Sequence, residues 1–362
     1  MITPKHSFSP EINADFFLTL RNRVNAYFKD GNISRFANAG MIVKTIVMFL
    51  LYFVPYLFLL SGLVVQPGLI VLMWAIMGLG LAGIGLNVMH DANHGVYSKR
   101  KWVNTLLSYS MDLIGSNAAV WRIQHNVLHH TYTNIEHADQ DINGIPFILR
   151  FSPHQKRFWI HRFQFLYAWF FYGLMTLVRI FFSDVNQLFR FKKEGHFRSI
   201  AEFRKELFIL LAWKLAYISY IFVVPLFVLP VSFWFIFFCF LMMHFIAGFI
   251  LAVIFQTAHI MPELDFPKPD ANGKINEHWA VHELKTTANF APKSRIFSWC
   301  IGGLNFQIEH HLFSNVCHVH YKGLSKIVKA TAEEYGLPYN SYSTFMAAII
   351  SHGKQLKSLG NS

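Results

Sequence analysis

Two long runs dominate the pattern of polar and apolar positions. From position 45 to 89, and again from 215 to 262, no aspartate, glutamate, lysine or arginine interrupts the chain. A helix needs about 20 apolar residues to cross the hydrocarbon core of a bilayer, so each run is long enough for two crossings joined by a tight turn. The turns are expected in "SGLVVQPG" (61–68) and "FVLPVS" (227–232), where Pro67 and Pro230 favour a break between helices. The predicted fold is an all-α integral membrane protein with four transmembrane helices in two hairpins (45–89 and 208–256). Segments 1–40, 90–207 and 257–362 form a helical cap, the whole being one membrane domain over 1–362.

Charge orients this arrangement. Neither turn carries lysine or arginine, whereas the three remaining segments are basic, and an excess of these residues marks the cytoplasmic side. Both hairpins are therefore expected to enter from the cytoplasm and return to it. The net charge of +12 fits that rule and anionic headgroups, and no nucleic-acid motif accompanies it. Composition agrees, with 54% hydrophobic and 14% charged residues, too apolar for a soluble domain of this size. The aromatic stretch at 163–178 is read as a helix lying in the membrane interface, because a fifth crossing would put the later polar clusters on the other side. "GLGLAG" (78–83) matches a dinucleotide fingerprint but lies inside an apolar run, so its small residues predict close helix packing. Lys214 is expected to snorkel to the cytoplasmic interface. Cys239, Cys300 and Cys317 form no CxxC pair, and the N-terminal segment lacks the basic start and apolar centre of a signal peptide.

Nineteen histidines are many for such a chain, and a subset is clustered: "HDANH" (90–94), "HNVLHH" (125–130), "QTAH" (256–259) and "QIEHH" (307–311). Positions i and i+4 share one face of a helix, so His90 with His94, and His125 with His129, each direct two imidazoles toward one point. His90 follows the second expected span and His259 the fourth, so the topology brings every cluster to one membrane face. His90, His94, His125, His129, His130, His259, His310 and His311 outnumber the ligands of one structural zinc site and imply two metals. Imidazole suits zinc, copper, iron and nickel alike. A site at the membrane boundary points to a lipid substrate, for which redox iron is the natural oxidant.

"HDANHG", "HNVLHHTYTN" and "NFQIEHHLF" together resemble the three histidine boxes of the membrane fatty acid desaturases, in order and spacing over essentially the whole chain. Gln307, where many members carry histidine, is similar to the front-end subgroup, which places a double bond between an existing one and the carboxyl end. "HNVLHHTYTN" is similar to bacterial chains of the linoleoyl-CoA or acyl-CoA desaturase type. The resemblance implies two non-haem iron ions held by the eight histidines above, with Gln307 near or on the metal. It also implies an oxygen-dependent introduction of a cis double bond into a long acyl chain linked to CoA, carrier protein or lipid. The 40 residues before the first span are too few for a fused cytochrome b5 domain and no "HPGG" haem motif occurs. A separate electron donor of ferredoxin or cytochrome b5 type is therefore expected, as is a bacterial inner membrane with the site on its cytoplasmic face. Two departures stand out: Ser314 follows "HHLF" where proline is common, and three residues separate His125 from His129, one more than in several eukaryotic members.

Asp91, Asp139, Asp141, His282, Asn305 and Glu309 are expected to support the ligands by hydrogen bonding, with Asn93 holding a water or an imidazole. His137 and His278 match no box position and are read as supporting or surface residues, and His244 as a polar packing group within the fourth span. A histidine-box hydroxylase or monooxygenase shares the metal centre and is the alternative reading. A metal transporter would need polar residues along the spans, and a zinc hydrolase would leave most of the histidines unused.

Overall fold

The computed structural model describes residues 6–143 and 146–362. The start of the expected segment 1–40 and positions 144–145 lie outside that description. The helices that matter below are α1 (Ala14–Asp30), α2 (Ala39–Leu60), α3 (Pro67–Gly83), α4 (Ile200–Ile218), α5 (Phe233–His259), α6 (Trp279–Thr286), α7 (Gln307–Leu312), α8 (Tyr321–Glu334) and α9 (Phe345–Asn361). The described residues are mostly helical, as expected of an all-α membrane protein, and two parallel pairs of two-residue strands occur among them. Ser7–Phe8 (β1) pairs with Lys274–Ile275 (β2), and Asn289–Phe290 (β3) with Ser341–Tyr342 (β4).

Among the described residues, four helical stretches are long and apolar enough to cross a membrane: Ala39–Leu60, Pro67–Asn93, Ile200–Val228 and Phe233–His259. The breaks between them fall inside the two expected turns, and Pro67 occupies the first helical position of α3, where its missing N–H costs nothing. The helices extend beyond the uncharged runs. Ile200–Val228 starts within a charged stretch, stabilised by Ser199, whose Oγ accepts from Glu202 N at 3.1 Å. Trp159–Gly173 and Met175–Lys193 are apolar enough only as a pair and are bent by 60°, so the stretch 163–178 falls across that bend. Four helical turns among the described residues are π-helical: Ile84–Met89, Arg122–His129, Arg179–Ser183 and Ser219–Val223.

The described residues divide into two compact units. The first lies within Met1–Asn38, Gln124–Ala168 and Ile254–Ser362, and the second comprises Ala39–Ile123 and Trp169–Val253. In the first unit the α1 stripe Phe16, Leu20, Val24 and Phe28, spaced four apart on one helical face, is buried against Leu324, Val328 and Ala332 of α8. Val281 and Leu284 of α6 and Ile308 and Leu312 of α7 complete the same core. This core fixes the helix that carries the third histidine box, and the turn before that helix requires Gly302 and Gly303 at φ 67° and 64°. Phe16→Ala, which empties the centre of this core, is expected to destabilise the unit by about 3–5 kcal/mol. An unchanged thermal unfolding midpoint in detergent would contradict that packing.

In the second unit α3 crosses α2 so closely that a Cβ on Gly80 would lie 2.6 Å from Tyr52 N, and one on Gly78 would lie 2.8 Å from the Met243 carbonyl of α5. The small residues of "GLGLAG" thus serve helix contact. Lys214, expected to snorkel to the interface, donates to buried Asp184 at 2.9 Å and to the Gly115 carbonyl at 3.2 Å. Asp184 is nearly solvent-free, and a charge buried there needs such a partner. His244 bonds the Tyr217 hydroxyl at 2.7 Å and accepts Thr176 Oγ1 on its carbonyl at 2.8 Å, tying neighbouring helices together.

Candidate metal centre

The second histidine box sits at the end of the π-helical turn Arg122–His129, continued by His130–Tyr132. An α-helical reading of the spacing puts only His125 and His129 on one face. The wider i→i+5 turn lets both following histidines flank His125. His130 Nε2 consequently lies 3.1 Å from His125 Nε2, while the His125 and His129 rings stack with centroids 5.3 Å apart.

Three further imidazoles of the first unit meet them. His259, the last residue of α5, and His310 and His311 of α7 are all buried. His310 Nε2 is 3.3 Å from His125 Nε2. The possible ligand atoms of His129, His259 and His311 lie within 4.8 Å of one another, as do those of His130, His310 and His311 and those of His125, His129 and Asp141. Two nitrogens bound about 2.1 Å from one metal, at right angles to each other, lie about 3 Å apart, so the spacing of these imidazoles suits a shared ion.

What sits behind the rings decides which nitrogen faces inward. His129 Nδ1 is 3.1 Å from both oxygens of Asp139 and 3.4 Å from Asp141 Oδ2. Asp139 is itself pinned by the backbone N–H groups of Asn134 and Asp141, each at 2.9 Å. His259 Nδ1 donates to the Thr286 carbonyl at 3.3 Å, His311 Nδ1 meets Glu283 Oε2 at 2.7 Å, and His310 Nδ1 meets the Tyr321 hydroxyl at 3.1 Å. Each ring therefore presents Nε2 to the cluster, and the buried Nε2 atoms of His129 and His259 have no hydrogen-bond partner. Imidazoles oriented by carboxylates and carbonyls are the usual supporting arrangement of a metal ligand set, and the donor set fits iron or another imidazole-binding metal. Burial alone would push the His129 imidazole down, but Asp139 and then Asp141 outweigh it and carry it up to about 9. Burial would also raise Asp139, yet His129 and the backbone donors hold that carboxyl below its usual range.

The first box belongs to the second unit and follows the π-helical turn Ile84–Met89 at the end of a candidate span. The His90 and His94 rings are 4.8 Å apart, each 5.7 Å from the Trp121 ring. Asp91 Oδ1 is 3.4 Å from His90 Nδ1, and Asn93 accepts from Arg122 at 3.0 Å.

Of the remaining candidates, Gln307 is buried with neither amide atom hydrogen-bonded. Glu309 is held by Asn289 Nδ2 at 2.8 Å and the Tyr339 hydroxyl at 2.9 Å, and burial pushes its carboxyl up to about 7. Asn305 donates to the Ala291 carbonyl at 3.3 Å. Asp141 accepts from Gln124 at 2.8 Å. His282 is buried 3.4 Å from Glu277 and against the Phe8 ring, His278 caps α6 by accepting from Ala280 N at 3.1 Å, and His137 is exposed at a φ of 67°. Sequence reasoning missed Glu283 and Tyr321, which lie outside every box. The only available signal was an acid at position 283 on the same helix as the core residues Val281 and Leu284.

Buried imidazole clusters in a chain with four membrane-length apolar helices define a membrane protein with a histidine-rich site able to hold metal. The fatty acid desaturase family model matches residues 67–343. The chain is 36% identical over 349 residues to the sn-1 linoleoyl-lipid 6-desaturase of Synechocystis sp., covering 95% of each. It is 34% identical to the protein of the same name from Arthrospira platensis, covering 99% of this chain and 95% of that one. Against the acyl-lipid (8-3)-desaturase of Physcomitrium patens it is 36% identical, covering 96% of this chain and 72% of that one. The chain belongs to the fatty acid desaturase family, and within it to the front-end desaturases, enzymes of lipid metabolism.

Proposed function

We propose that this chain is an oxygen-dependent acyl-lipid desaturase that introduces a cis double bond between an existing double bond and the carboxyl end of a long acyl chain. The observation that carries the reading is the convergence of buried imidazoles: His125 Nε2 lies 3.1 Å from His130 Nε2 and 3.3 Å from His310 Nε2, and the possible ligand atoms of His129, His259 and His311 lie within 4.8 Å of one another. The names of the similar cyanobacterial proteins support an acyl chain esterified to membrane lipid, rather than one on CoA or carrier protein.

On this reading the histidines hold two iron ions, with His90 and His94 assigned to the ligand set by their box motif and Gln307 placed near or on the metal by its position in the third box. Bound iron supplies the oxidising power: two hydrogens leave adjacent methylenes and, with dioxygen, two electrons and two protons from outside, two waters form. The residues of this chain position and insulate. Asp139 fixes the His129 ring and Tyr321 that of His310, while burial keeps bulk water from the cluster. An electron donor of ferredoxin or cytochrome b5 type supplies the electrons. The site faces the cytoplasm, by the distribution of lysine and arginine, and the cyanobacterial sources of two similar proteins support a bacterial membrane.

The test is expression in a host lacking polyunsaturated lipids, supply of linoleoyl chains, and location of new double bonds by mass spectrometry beside a His310→Ala control. A new double bond on the carboxyl side of the existing one, absent in the control, is expected. A hydroxylated chain instead would move the assignment to a monooxygenase.

A further inference from the structure

His311 belongs to both all-histidine triads of the first unit, yet what orients it comes from outside the histidine boxes. Glu283 of α6 sets its Oε2 2.7 Å from His311 Nδ1, shorter than the 3.1 Å at which Asp139 meets His129. Thr133 Oγ1 lies 3.0 Å from the same oxygen and 2.7 Å from the His129 carbonyl, so its single hydroxyl proton is shared between the two acceptors and helps to hold the carboxylate in place. Glu283 is fully buried and its Oε1 has no hydrogen-bond partner. Among the described residues its only ion-pair partner is His311. A buried carboxylate without a lysine or arginine is costly, and a cation bound on the far side of the His311 ring would balance it.

We propose that Glu283 is the positioning residue of the metal centre: its carboxylate fixes the His311 ring with Nε2 inward and supplies, through the ring, negative charge that strengthens metal binding there. The inference rests on the proposed metal centre but not on desaturation. Glu283 touches neither substrate nor metal and acts through His311. Packing is the simpler role for a buried side chain, but α6 already buries Val281 and Leu284 in the hydrophobic core, and a glutamate adds nothing there that an apolar residue would not.

The full chain in detergent is loaded with iron-57, challenged with a graded chelator, and read by iron content and Mössbauer spectrum. The parent is expected to hold two irons per chain. Glu283→Gln, matched in volume and with unchanged circular dichroism before loading, is expected to bind one of them about 10- to 100-fold more weakly with an altered spectrum. Glu283→Asp, which keeps the charge, is expected to recover part of the loss, and Thr133→Val to show a smaller loss in the same direction. Because Glu283 acts through His311, Glu283→Gln combined with His311→Ala is expected to be no worse than His311→Ala alone. Two tightly held irons and an unaltered spectrum in Glu283→Gln, or losses that add in the double variant, would overturn the role. A parent that holds two irons yet forms no double bond would refute the proposed activity and leave this inference to the iron counts. A parent that cannot hold two irons would remove the centre itself.

Discussion

His129→Ala is expected to abolish formation of new double bonds, to below about a hundredth of the parent level in cells. His129 lies in a triad with His259 and His311 and also beside His125 and Asp141, so its loss removes a donor from the middle of the cluster. Losing even a group that supports a metal ligand typically costs 10- to 100-fold, and a ligand should cost more. The substitution also strands Asp139, a buried carboxylate whose two oxygens both face the imidazole at 3.1 Å, so iron content should fall with activity. The matched control is His137→Ala, whose side chain is exposed and which should leave both product and iron content unchanged. Equal product from the His129 variant would show that this histidine is not needed for the chemistry.

Gly80→Val is expected to destabilise the folded protein strongly. A Cβ at this position would meet the Tyr52 backbone nitrogen at 2.6 Å and the Leu51 carbonyl carbon at 2.8 Å. Main-chain atoms cannot rotate aside as a flexible side chain can. The helices would have to separate, losing the close approach that small residues permit between membrane helices. Overpacking of this kind costs about 1–3 kcal/mol or more, which corresponds to about 2–4 °C in Tm per kcal/mol. Gly68→Ala makes the comparison, since a Cβ there has nothing within 4 Å. A Gly80→Val protein as thermally stable in detergent as Gly68→Ala would contradict the close crossing of α2 and α3.

What the sequence makes legible depends on how local the signal is. The spans could be read because charge is absent over runs long enough to cross a bilayer, and the observed breaks fall where Pro67 and Pro230 place them. The histidine clusters could be read because each is a short word. The π-helical turn that lets His129 and His130 both flank His125 could not be, since it adds no proline, glycine or change of composition. Glu283 and Tyr321 were invisible for another reason. Each is a single residue on a helix whose apolar pattern reports only core packing, and nothing in the sequence ties it to the third-box histidine it meets, 28 residues away for Glu283 and 11 for Tyr321. Lys214 shows a related limit, because nothing in the sequence pairs it with its acid, Asp184, 30 residues earlier.

The most direct test of desaturation is a single turnover: purified, iron-loaded protein is reduced chemically, given an acyl lipid carrying one or two double bonds, and exposed to oxygen, with the acyl chains then analysed by mass spectrometry. An acyl chain that has lost two hydrogens, with the new double bond on the carboxyl side of those already present, is the predicted product. A chain that has gained an oxygen atom, or one returned unchanged by protein that holds both irons and consumes oxygen, would contradict it.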